Sequence, residues 1–100
     1  MEHKRILIVE DEFIVALNLR QIMSNMGFEV VGIAPDAATA EELAVTKPDI
    51  ALVDLNLRDG PTGPQIGAKL SQEYGTTVLF LTANAAQLGE GIRGTIGVVS

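Results

Sequence analysis

Five short apolar runs punctuate the chain: Ile6-Leu7-Ile8-Val9, Val30-Val31-Gly32-Ile33, Ile50-Ala51-Leu52-Val53, Val78-Leu79-Phe80-Leu81 and Ile96-Gly97-Val98-Val99. None alternates apolar with polar. Continuous β-branched runs of this length fit strands covered on both faces, as in a parallel sheet. Their starts lie 24, 20, 28 and 18 residues apart, which leaves room for a crossover helix each time.

The intervening segments carry helical signals. Over 13–26, Val15, Leu19, Ile22 and Met26 recur at helical spacing, which predicts them as the packed face, and Gly27 sits where a C′ glycine ends a helix. A second helix is expected from an N-cap at Asp36, through Leu43 and Ala44, stopped by Pro48. A third starts near Pro64, carries Ile66, Leu70 and Tyr74, and ends at Gly75. A fourth, over 85–93, is weak, because Gly89, Gly91 and nearby Gly94 each cost about 1 kcal/mol in helix propensity. The expected architecture is α/β: a three-layer, doubly wound parallel sheet of strand order 2-1-3-4-5.

Composition narrows the function. The 100 residues make one domain, 1–100, with 47% hydrophobic residues, too apolar for disorder. No cysteine is present, so there is no disulfide framework and no thiolate metal site. The single histidine, His3, cannot build a multi-histidine centre. No apolar run approaches the ~20 residues that span a bilayer, and the N-terminus is no signal peptide, so the expectation is a cytoplasmic protein with no membrane partner. The net charge of −6 argues against nucleic acid and favours cations and basic partners.

Ligands of doubly wound sheets bind at the carboxyl ends of the strands, near the point where the order reverses. Glu10, Asp11 and Glu12 follow the first run, Asp54 follows the third, and Thr82, Ala83 and Asn84 follow the fourth. Glu10, Asp11 and Asp54 should therefore converge. Three carboxylates in one crevice repel unless a cation or protons intervene. Mg²⁺ suits them, since it binds through one or two carboxylates and keeps waters and phosphate oxygens. A carboxylate there can act as a nucleophile and form an aspartyl phosphate. Thr82 could hydrogen-bond the phosphoryl group, beside a small Ala83. Taken singly, each acid also fits a solubilising strand flank. Glu12 keeps that reading, because it falls at the start of a helix, where the dipole favours an acid.

The run from Ile6 to Glu12, the run from Pro48 to Leu57 with its central Asp54, and Leu79-Phe80-Leu81-Thr82-Ala83 resemble, in order, the motifs of bacterial two-component response-regulator receiver domains. The resemblance spans essentially the whole chain and implies the flavodoxin-like, CheY-like variant of the fold. It implies that Asp54 is the phosphoacceptor, that Asp11 ligates Mg²⁺ directly with Glu10 acting through water, and that the Asn56 carbonyl is a further ligand. Thr82 becomes the switch hydroxyl, Ala83 lies at the phosphoryl site, and the Asn56 and Asn84 side chains flank it. The implied donor is a phosphohistidine on a sensor histidine kinase or histidine phosphotransfer protein. The implied output is contact with a downstream protein.

Departures from the family pattern shape further expectations. Receivers carry a lysine just after the fifth strand and then a final helix; this chain stops at Ser100 and reads as a receiver truncated before both. Lys47 and Lys69 fall in helical segments away from the site. Without the final helix, apolar side chains of the fourth and fifth strands form an exposed face that invites association of two copies or exchange between them. Val98 aligns with the family's aromatic switch residue, and Arg58 stands where many receivers have proline. Gly89-Glu90-Gly91-Ile92-Arg93-Gly94 matches G-x-G-x-x-G, but it leads into a strand instead of opening a helix, so no dinucleotide site is read from it. Two alternatives stay open: a phosphorylation-deficient interaction or dimerisation module, and an aspartyl-phosphate phosphatase. The second is disfavoured because Asn56 stands where such a phosphatase has an acid.

Overall fold

The computed structural model describes residues 3–55, 63–81 and 96–99. The elements run β1 (Arg5–Val9), α1 (Phe13–Asn25), β2 (Glu29–Ala34), α2 (Ala37–Ala44), β3 (Ile50–Asp54), α3 (Gly63–Tyr74), β4 (Thr77–Leu81) and β5 (Ile96–Val99). They form one five-stranded sheet of order β2-β1-β3-β4-β5. Strands β2, β1, β3 and β4 are mutually parallel. This is the doubly wound sheet expected from the five apolar runs.

One strand departs from the all-parallel expectation. β5 lies at the predicted edge but pairs antiparallel to β4, with Val78 opposite Val99 and Leu81 opposite Ile96. A parallel return needs a crossover, normally a helix. The sequence between these strands carries Gly89, Gly91 and Gly94 and is a poor helix former. The fourth helix expected over 85–93 lies outside the described residues.

Burial follows the sheet's two faces. Leu7, Val9, Ala51, Val53 and Val78 pack with Ala40 and Ala44 of α2 and with Ile66 and Leu70 of α3. Ile6, Ile8 and Leu52 point the other way and meet Leu19 and Met23 of α1. Successive strand residues thus enter opposite layers, and both layers are apolar, which is why the runs show no alternation.

The helix ends follow local chemistry. Asp36 is the N-cap of α2, its side chain accepting from the Thr39 N–H at 2.9 Å. Gly27 and Gly75 adopt left-handed φ values of 96° and 70°, which a glycine enters without steric cost, and so terminate α1 and α3. α2 stops at Ala44, earlier than Pro48 alone suggests. Lys47 is therefore not helical: it takes a left-handed φ of 56° in the turn that follows. The Arg5 guanidinium holds this turn by donating to the Thr46 carbonyl.

The expected packed face of α1 also needs correction. Ala16, Leu19 and Met23 face the sheet, while Val15, Ile22 and Met26 are 42%, 49% and 64% exposed. Ala16 is fully buried, and its small side chain lets the helix approach closely along that line. Among the described residues α1 lies mainly over β1 and β2, and its apolar stripe extends beyond the surface beneath it.

Candidate functional site

The carboxyl ends of β1 and β3 bring three acids together. Val9 is level with Val53 across the parallel β1–β3 pair, so the residues that follow them, Glu10 and Asp54, come abreast. The Glu10 N–H continues the ladder to β2 by donating to the Ala34 carbonyl at 2.9 Å. Asp54 is the last residue of β3 and stands opposite Leu81 of β4. The next N–H, that of Leu55, donates to the Leu81 carbonyl at 2.9 Å. Backbone hydrogen bonds on both sides therefore fix where these carboxylates sit.

Glu10, Asp11 and Asp54 each offer an oxygen, and these oxygens all lie within 4.8 Å of one another. Glu10 and Asp54 are only 5% and 7% exposed, so the cluster is not a solvated acidic surface. The Glu12 N–H donates to Glu10 Oε2 at 3.1 Å and holds that carboxylate in place. Glu12 itself is exposed at the N-cap of α1 and makes no side-chain cap hydrogen bond. Its side chain keeps the helix-start position read from the sequence, and its backbone serves the site.

Burial pushes the Glu10 carboxyl up from 4.5 to about 7; the Asp54 and Asp11 charges push the same way, against the lowering effect of the Glu12 N–H. Because the folded value lies above the unfolded one, Glu10 contributes stability that is full below about pH 4.5. That contribution is lost as pH rises through about 7. Glu10→Gln keeps an acceptor for the Glu12 N–H and removes the charge. Without metal at pH 8 it is expected to stabilise the fold by on the order of 1–3 kcal/mol. At pH 4.5 the gain should vanish. Thermal melts of both proteins across pH 4.5–8 check this; a gain independent of pH would overturn it.

The donor set fits a hard divalent cation. All three donors are carboxylates, two are buried, and burial with neighbouring negative charge raises the Glu10 carboxyl; a bound cation would offset both the burial cost and the repulsion of the charged form. Glu10, Asp11 and Asp54 are the residues that would hold Mg²⁺. Of the other sequence-predicted site residues, Asn56, Thr82, Ala83 and Asn84 lie outside the described residues, as does Arg58. Lys69 lies in α3 and pairs with Glu41 of α2 at 3.0 Å.

One site residue was missed from the sequence. Gly63, the first residue of α3, is pressed against the end of β3: a Cβ added there would clash with the Asp54 carbonyl oxygen and lie 2.8 Å from Leu55 Cα. α3 begins directly behind the Asp54 backbone, and only a residue without a side chain permits that approach. The sequence signal for it is slight: Gly63 falls inside the Gly/Pro-rich run Asp59-Gly60-Pro61-Thr62-Gly63-Pro64, which reads as a loop.

A parallel α/β sheet with acids clustered at the carboxyl ends of β1 and β3 defines the receiver class of signalling domain. The chain belongs to the response regulator receiver domain family, whose model matches residues 6–93. It is 32% identical over 80 residues to the phyllosphere-induced regulator PhyR of Methylorubrum extorquens, covering 78% of this chain and 30% of that protein. It is 40% identical over 60 residues to the transcriptional regulatory protein PdtaR of Mycobacterium tuberculosis, covering 57% of this chain and 29% of that protein. The chain thus spans about a third of the length of these relatives.

Solved structures agree. The PhyR receiver domain of Erythrobacter litoralis superposes with a TM-score of 0.78 at 29% identity, covering 93% of this chain and 73% of that one. PhyR of Bartonella quintana, an anti-anti-sigma factor solved in complex with the anti-sigma factor NepR, also gives 0.78 at 29% identity, covering 98% of this chain and 41% of that one. Among the described residues no helix is long and apolar enough to cross a membrane.

Proposed function

We propose that this receiver domain accepts a phosphoryl group on Asp54 from a phosphohistidine donor, in a Mg²⁺-dependent reaction, and signals by protein contact. The observation that carries the reading is the Glu10–Asp11–Asp54 cluster, with Glu10 and Asp54 buried, at two adjacent strand ends. A carboxylate oxygen of Asp54 attacks phosphorus, the P–N bond to the donor imidazole breaks, and its electron pair leaves with the imidazole. Bound Mg²⁺ would supply positive charge to the carboxylates and phosphoryl oxygens. The β3–β4 ladder holds Asp54 from behind, so the nucleophile needs little reorganisation.

In this reading Asp11 ligates the ion directly, Glu10 acts through water, and the Asn56 carbonyl completes the protein's share. Thr82 is the switch hydroxyl. Leu81, its chain neighbour, stands opposite Asp54, which favours that role. Ala83 leaves room for the phosphoryl group, and the Asn56 and Asn84 side chains govern how readily water removes it. Donors are a sensor histidine kinase or a histidine phosphotransfer protein. Contact-based output is supported by the relative solved with its anti-sigma partner. The role is that of a phosphoacceptor that can release its own phosphoryl group, not of an enzyme acting on a separate substrate.

Incubation with acetyl phosphate and Mg²⁺ should add one phosphoryl group, read by mass spectrometry, and omission of Mg²⁺ should abolish the adduct. No adduct with Mg²⁺ present would overturn the reading.

A further inference from the structure

At the amino ends of the strands, opposite the acidic cluster, the molecule holds a cleft of about 440 Å³. Sites for small molecules span roughly 300–1,000 Å³. The cleft is lined by Lys4 before β1, Lys47 and Asp49 of the α2–β3 turn, Ile50 of β3, Tyr74 at the end of α3 and Thr77 of β4. Among the described residues, none that lines it follows Thr77 in the chain. Its floor is fixed by hydrogen bonds. The Asp49 N–H donates to the Arg5 carbonyl at 2.9 Å, and the Thr77 N–H donates to the Asp49 carbonyl at 3.0 Å. The buried Thr76 hydroxyl donates to the Pro48 carbonyl at 3.0 Å. A ligand therefore meets a shape that is already formed.

The charges around the cleft suit an anion. Lys4 and Lys47 are both exposed, and among the described residues neither forms an ion pair. The one acid that lines the cleft, Asp49, turns Oδ2 to the Arg5 N–H at 2.8 Å, so part of its carboxylate serves the strand. Glu29 is level with Arg5 on the far side of β1 and does not line the cleft. The Arg5 guanidinium is committed to the Thr46 and Lys47 carbonyls. Two ammonium groups thus stand against one partly engaged carboxylate, in a chain of net charge −6. Lys47 adds a second observation. Among the described residues it is the one non-glycine with a left-handed φ, 56°, a backbone that suits glycine and strains a lysine. Strain of this kind is retained at ligand sites, and Lys47 lines this one. Tyr74 and Ile50, both half-buried and packed on the core, supply a flat apolar wall.

We propose that this cleft binds a small aromatic anion, a carboxylate or a phosphate monoester, with its charged head between Lys4 and Lys47 and its ring against Tyr74 and Ile50. A bare inorganic anion leaves the apolar wall unused, and a neutral aromatic leaves the two cations unanswered. An offset ring on Tyr74 adds attraction beyond the area it buries. The exposed Thr77 hydroxyl offers the head a further donor. Both cations are solvated, so the dissociation constant should be on the order of 1 mM. The cleft shares no residue with Glu10, Asp11 and Asp54, and the inference is independent of the phosphoacceptor reading.

Titration of the isotope-labelled full chain without Mg²⁺, followed by backbone amide NMR shifts, tests it. Phenylacetate and phenyl phosphate probe the two head groups; inorganic phosphate and phenol are the controls. Saturable shifts at Lys47, Asp49 and Thr77 are expected with at least one aromatic anion, and binding by only one of them identifies the head group. Inorganic phosphate should bind at least about fivefold more weakly, and phenol should give no saturable shift. Lys4→Gln should weaken binding about threefold or more and leave the thermal melt close to wild type. Lys47→Gly should weaken binding as much while raising the melting temperature by a few degrees, because glycine relieves the left-handed backbone. A lysine with a purely structural role would not show these opposite signs. No saturable shift with either aromatic anion, inorganic phosphate binding as tightly as both, or unchanged affinity in Lys47→Gly would each overturn the proposal.

Discussion

Asp54→Asn is expected to abolish phosphoryl incorporation while making the metal-free protein more stable at pH 8. The two effects share one origin. Asparagine matches aspartate in shape, so β3 and its ladder to β4 are undisturbed, but the amide has no nucleophilic carboxylate oxygen to form the acyl phosphate. Label from acetyl phosphate should fall to background. Meanwhile Asp54 is one of the charges that raise the Glu10 carboxyl to about 7, so its removal lets Glu10 ionise at lower cost. The gain in unfolding free energy should be about 1 kcal/mol at pH 8 and should shrink towards pH 4.5. Mg²⁺, which should raise the melting temperature of the wild type, should raise that of the variant less. A folding defect would lower stability along with phosphorylation, so the opposite signs separate loss of chemistry from loss of structure. Retained label at wild-type level would show that another residue accepts the phosphoryl group.

The sequence located the acids because a strand-end position follows from where an apolar run stops. Ile6–Val9 and Ile50–Val53 end at Glu10 and Asp54, and the parallel register of Val9 with Val53 turns two sequence endings into one place. Strand direction was less accessible. A continuous apolar run says that both faces are covered but carries no sense along the chain, so β5 could be placed beside β4 but not shown to run against it. α1 shows a similar limit. Its periodicity marks a wide stripe from Val15 to Met26, but which part of that stripe the sheet covers depends on the helix's rotation over β1 and β2. Ala16, too small to stand out in a hydrophobic pattern, marks the line of closest approach. Gly63 was beyond reach for another reason: its constraint comes from backbone nine residues earlier in the chain, on a different element.

That constraint makes Gly63→Ala the most damaging single methyl addition expected near the site. The new Cβ would overlap the Asp54 carbonyl oxygen, and the Leu55 Cα at 2.8 Å blocks the neighbouring direction. Both obstacles are backbone, so no side-chain rotamer relieves them. The β3 carbonyl cannot retreat without breaking the sheet: Leu52 and Val53 are paired with β1 on one side and β4 on the other. The first turn of α3 must therefore move away from the sheet. Ile66 and Leu70, buried on the same helix face, are then drawn out of the core they share with Val53 and Val78. Overpacking of this kind costs about 2–3 kcal/mol, which for a domain of this size lowers the melting temperature by roughly 10–20 °C. Gln65→Ala, at an exposed position in the same turn, should change stability by less than about 0.5 kcal/mol. If Asp54 is the phosphoacceptor as proposed, the phosphorylation rate should also fall at temperatures where Gly63→Ala is still folded, because Asp54 forms one wall of the clash and a shift of its backbone moves its carboxylate. A melting temperature within about 2 °C of wild type, well inside that expected drop, would mean that α3 does not press on β3 at this point. Normal stability with slowed phosphorylation would instead place the strain wholly in the site, with the helix free to yield.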